Sequence, residues 1–131
     1  MCLITADKEP LIAEEDILVY KWLSFNKRAP FTGYKYHWGK NVARPCEESW
    51  HNAVTVNEDG KFCINGGWLH AFNPKTCGEI DFSLFQKSGE RIEKMYIPKG
   101  TEYYIGERND ICAKVLEWRK GPRYILRKNH R

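Results

Sequence analysis

The stretch Gly66-Gly67-Trp68-Leu69-His70-Ala71-Phe72, followed by Asn73-Pro74, comes nearest in residue type and order to a chemical site. Paired glycines let another group approach the backbone closely, and an imidazole can carry a proton or accept a hydrogen bond. An Asn-Pro pair suits the start of a helix, where free amide donors attract anions. Read for chemistry, the stretch sets His70 beside a phosphate pocket approached past Gly66, Gly67 and Trp68. An enzyme acting on a nucleotide would then recruit Tyr20 into the cleft and Glu117 as a polarising carboxylate. Read for structure alone, the glycines turn the chain and His70 faces solvent or satisfies a hydrogen bond in the core. No GxxxxGK[ST] spacing supports the sharper reading.

Other chemistries find less. His37, His51, His70 and His130 are scattered without paired spacing, so neither a metal nor any other cofactor is expected. Cys2, Cys46, Cys63, Cys77 and Cys112 form an odd set with no CxxC pair, which suits thiols in a reducing cytoplasm better than a disulfide framework or a zinc site. Cys63 and His70 are close in sequence, but nucleophilic catalysis needs a thiolate and its base to meet in space. No serine lies in a GxSxG context.

The elements that must position these residues can be read from hydrophobic period. With 131 residues, one domain spanning 1–131 is expected. Residues 17–23 (ILVYKWL) read as a strand buried on both faces. At 34–38, Tyr34, Tyr36 and Trp38 alternate with Lys35 and His37, which predicts a strand with three rings on one face. Residues 40–52 have no clear period and read as loop or a short helical turn. Val54-Thr55-Val56 and Lys61-Phe62-Cys63-Ile64 flank Asn57-Glu58-Asp59-Gly60, a hairpin pattern. After Asn73-Pro74 the apolar spacing predicts a helix over 74–87, which Gly78 weakens. Residues 91–97, 103–105, 111–118 and 123–127 read as strands separated by turns. Six to eight strands and one main helix give an α+β class with a mostly antiparallel sheet, because the connections are too short for repeated crossover helices.

Charge is uneven. The net charge is +4, yet residues 119–131 hold six Lys or Arg and no acid; without them fifteen basic residues face 17 acidic ones. Such a basic end suits an acidic partner, nucleic acid included, or is a solvated terminus. In the nucleic-acid reading Arg123, Arg127 and Lys128 contact phosphates with their basic neighbours, while Tyr34, Tyr36 and Trp38 stack on bases. Acids near the N-terminus and the lack of an 18-residue apolar run speak against export and a membrane span.

Several short patterns span most of the chain: Met1-Cys2-Leu3, Ile12 through Ile17 followed by Val19-Tyr20-Lys21, Gly67 through Phe72, and Ile97-Pro98-Lys99-Gly100-Thr101-Glu102-Tyr103-Tyr104-Ile105-Gly106. In their order the chain resembles an uncharacterised family of small proteins from gut bacteria and their phages, a resemblance that implies no function or catalytic residue. A second, looser similarity is to the split β core of ADP-ribosyltransferases, through the Tyr20-Lys21 strand, a central glycine and aromatic strand, and Glu117 on a late strand. The chain departs from that pattern: Tyr20-Lys21 stands where an Arg or His-Gly is expected, no Ser-Thr-Ser occurs, and Val115 precedes Glu117 where a Glu or Gln would stand. The function expected is thus an accessory binding module, non-catalytic, that presents a loop or cleft to a protein or small ligand. A nucleotide-acting enzyme and a nucleic-acid binder are the alternatives.

Overall fold

The computed structural model describes residues 3–24, 26–29, 34–44, 54–64, 66–74, 91–108 and 110–119. These form eleven strands: β1 Leu3–Thr5, β2 Leu11–Ile12, β3 Ile17–Leu23, β4 Gly39–Val42, β5 Val54–Val56, β6 Phe62–Ile64, β7 Leu69–Phe72, β8 Arg91–Ile97, β9 Glu102–Ile105, β10 Asp110–Ala113 and β11 Val115–Trp118. They make a three-stranded sheet of order β1-β6-β5 and an eight-stranded sheet of order β2-β9-β10-β7-β3-β8-β11-β4. Every strand pairing is antiparallel.

Branched and aromatic residues build the centre. β3 and β8 pair along all seven residues, from Ile17↔Ile97 to Leu23↔Arg91. Along β3 the period is two, with Val19, Lys21 and Leu23 buried between half-buried neighbours. That face of the sheet continues through Leu69, Met95, Ile111 and Leu116 as the main core, and Ala29 and Tyr36 pack against it from the connection between β3 and β4. The opposite face carries Tyr104 and Cys112, which meet Leu3 and Ile64 of the small sheet in a second core, with Trp68 packed alongside.

The hairpin at 54–64 forms as its sequence predicts. Asn57 Oδ1 accepts the amide hydrogens of Asp59 and Lys61, and Gly60 takes φ 75°, a conformation a side chain resists. A turn at 106–108 then ties the sheets together. Glu107 donates its amide to the Ile4 carbonyl at 3.0 Å, and Lys61 pairs with the Glu107 carboxylate.

Several expectations need correction. The class is β rather than α+β: the described residues make eleven strands and no helical element. Beyond Pro74, the helix expected over 74–87 falls outside the described residues, and Asn73, read as its cap, is a buried residue at the end of β7. Helix spacing and a capping pair are local signals, whereas this fold is held by pairings between distant strands, among them the short β1, β2 and β4 that no period announces. Residues 34–38 do not form the expected strand. Tyr34 and Tyr36 turn back on the chain through a single Arg28↔Lys35 bridge, and Tyr36 is buried while Trp38 is exposed. The strand of this region is instead β4, which runs from Gly39 into the start of the 40–52 stretch read as loop. Residues 111–118 form two strands, because the chain turns at Lys114 and leaves β10 for β11. The strand read at 123–127 lies outside the described residues, as does the basic segment after Arg119. Among the described residues no helix is long and apolar enough to cross a membrane.

Candidate functional site

β7 places His70 on the face shared with Tyr104 and Cys112. Cys112 lies directly opposite His70 across β7 and β10, and Tyr104 opposite Cys112 across β10 and β9. A thiol and an imidazole as cross-strand neighbours is the geometry a nucleophile and its base require. Their surroundings disarm both. Burial, then the nearby Lys21 charge, pushes His70 down to about 4. Burial above all pushes the Cys112 thiol up to about 12. Moving the proton from one to the other is uphill by on the order of 10 kcal/mol, so the pair stays neutral near pH 7.

Its neighbours are structural. Lys114 Nζ sits 4.1 Å from the centre of the Trp68 ring and donates to the Gly67 carbonyl at 2.9 Å. Trp68 meets Tyr104 edge-on at 5.1 Å. Gly66 and Gly67, both half-buried, thus carry the chain into a cation–aromatic stack on the second core. Tyr20, on β3, lies opposite Phe72 and Lys94. Glu117, on β11, lies opposite Lys40 and Tyr96 and accepts a hydrogen bond from Arg119. Tyr20, His70 and Glu117 alternate to the same face, but β3 and β8 stand between β7 and β11. Three strand spacings along the sheet lie between His70 and Glu117, so neither has the other as a cross-strand neighbour. Arg123, Arg127 and Lys128 lie outside the described residues. Among the described residues no group of three metal-ligating side chains converges.

A residue passed over in the sequence stands on the main-core face. Lys21 is 8% exposed; its Nζ donates to the His70 carbonyl at 2.6 Å and lies 5.3 Å from the centre of the Tyr36 ring. Glu93, also buried, is its partner across β3 and β8. Burial lowers Lys21 to about 8, and burial, with Tyr34 beside it, raises the Tyr36 phenol.

The surface residues with most to offer a ligand lie between β3 and β4. Asn41, fully buried, accepts the His37 amide at 3.0 Å, while its own amide is shared among the carbonyls of His37, Gly39 and Leu116. This clamp sets the turn that carries Trp38, whose ring packs on Trp118 at 4.4 Å between centres and is still 39% exposed. Lys27 Nζ lies 5.9 Å from the centre of the Trp118 ring. Arg28 and Lys35, paired across the bridge, are exposed, as is His37. Lys40 belongs elsewhere: it faces Glu117 and lowers the Asp16 carboxyl after the Lys99 amide and Arg119 have done so.

Part of the signal for this surface was present in the sequence: of the basic residues in 17–46, Lys27, Arg28 and Lys35 lie here, whereas Lys21 is buried and Lys40 faces Glu117. Residues 17–46 contain six Lys or Arg and no Asp or Glu. With residues 119–131 also set apart, nine basic residues remain against 17 acidic ones, so the chain has two basic segments on an acidic body. Compared with protein-family models, with curated proteins and with solved structures, the chain matches none.

Proposed function

We propose that the protein is a non-catalytic binding module of the cytoplasm that meets its partner with the surface around Trp38. The observation that carries this reading is Trp38 itself. A large ring that remains 39% exposed while stacked on a buried Trp118, on a turn fixed by a fully buried Asn41, is a rigid platform. Rigid aromatic anchors are the usual centres of binding surfaces, because little side-chain entropy is lost when they engage. The neutral His70 and Cys112 favour binding over turnover, and Cys63 and Cys112 as thiols suit a reducing compartment.

A thermal-shift screen tests the reading, since a ligand of the native state raises Tm by mass action. The panel comprises mononucleotides including NAD, cyclic and linear dinucleotides, short oligonucleotides and aromatic-rich peptides. At least one is expected to raise Tm, and Trp38→Ala, with an unchanged circular-dichroism spectrum, to lose that response. A flat panel, or a response that survives the substitution, refutes it.

A further inference from the structure

Building on the proposed binding surface at Trp38, we infer that its partner is single-stranded nucleic acid. Two independent features of residues 26–29 and 34–38 fit that chemistry. The first is the pairing of a platform with charge. Trp38 is supported by Trp118 and partly open to solvent, which suits stacking with an unpaired base, whatever the base. Lys27 lies beside the same tryptophan pair, and Lys35 is three residues from Trp38, within about 10 Å along the chain. That separation is comparable with the Debye length, so both cations act on one strand of phosphates running past the ring. Segment 17–46 carries no carboxylate to oppose them.

The second feature is strain. Lys27 is the only non-glycine residue with positive φ among those described, at 65°, in a turn closed by hydrogen bonds from the Lys27 amide to the Ser24 carbonyl and from the Ser24 amide to the Arg28 carbonyl. Asn or Gly would suit that backbone better. A lysine held there gives up stability for a charge at that place. An acidic peptide would use the cations but not the open ring. A lipid surface would call for exposed apolar residues beside the tryptophan, whereas its exposed neighbours in sequence, Lys35 and His37, are polar.

Fluorescence anisotropy of a labelled fifteen-nucleotide oligo(dT) with the full chain, at several salt concentrations, tests this inference. Affinity should fall with salt, with a log–log slope of about 0.7 per phosphate engaged. Trp38→Ala should weaken binding roughly 5- to 150-fold, and Trp38→Phe should recover most of it. Lys35→Gln should lower the slope by roughly one charge. Lys27→Asn should raise Tm while weakening binding, a combination that a purely structural lysine does not produce. Inorganic polyphosphate and vesicles containing phosphatidylserine serve as competitors. Equal competition by polyphosphate with no effect of Trp38→Ala, preference for the vesicles, or binding that depends only on residues 119–131 would each overturn the inference. If the oligonucleotide fails to bind while another panel ligand raises Tm in a Trp38-dependent way, the nucleic-acid assignment falls and the binding module stands; if neither responds, both fall.

Discussion

An ammonium group moved from water into the interior of a sheet loses hydration that a single carbonyl and an aromatic face replace only in part. For Lys21 this leaves a folded-state pKa of about 8 against an ordinary 10.5. Below pH 8 the folded chain holds that proton at a disadvantage of about 3 kcal/mol. Between pH 8 and 10.5 the unfolded chain binds more protons than the folded one, so this destabilisation is relieved as pH rises. The gap between Lys21→Met and the parent is therefore expected to shift by about 3 kcal/mol in the parent's favour between pH 8 and 10.5 in urea titrations. A gap independent of pH would mean that Lys21 keeps an ordinary pKa through its neighbours Glu93, Tyr36 and the His70 carbonyl. ILVYKWL reads as a strand buried on both faces, but the pattern does not say what an enclosed Lys21 would find to replace its water. For His70 and Cys112, the sequence displays the reactive groups and hides the burial that quiets them.

At the scale of the elements, Gly106 in the connection between β9 and β10 stands where a side chain has no room. A Cβ placed on Gly106 would overlap the Asp110 carboxylate and approach Leu3 Cγ to 2.8 Å. Leu3 belongs to the small sheet, so the missing side chain is what lets the two sheets close. Gly106→Ala is expected to destabilise the protein by about 1–3 kcal/mol in urea denaturation, and a loss under about 0.5 kcal/mol would show that the seam yields. Elements with strong local chemistry were readable in advance: β3, β8 and the β5–β6 hairpin stand where apolar runs and Asp59-Gly60 put them. Those defined by their partners were not. β1 is only three residues long, β2 two, and β4 reads Gly-Lys-Asn-Val, so each is a strand because β6, β9 or β11 offers it a register. Trp38 was singled out as a ring, but its exposure comes from the Asn41 clamp, a tertiary contact that alternation does not encode.

Across the whole molecule, the basic residues concentrate in segments 17–46 and 119–131, and the remaining nine stand against 17 acidic residues. Short connections between apolar runs point to an antiparallel, strand-rich sheet, whereas the helix spacing over 74–87 is a local signal that carries nothing of the long-range pairing that makes the described residues β. That long-range pairing also governs how the protein comes to be folded. Each of the seven β8 partners of β3 lies more than half the chain away from it. Topologies of this kind close slowly, so refolding from urea is expected in milliseconds to seconds, and a stopped-flow refolding time in microseconds would contradict it. During synthesis, at about 5–20 residues per second, β3 emerges several seconds before β8 and spends that interval without its longest partner. The central strand of the finished sheet is therefore the nascent chain's most adhesive segment, and a ribosome that pauses between the two strands prolongs the time in which it can stick to something else.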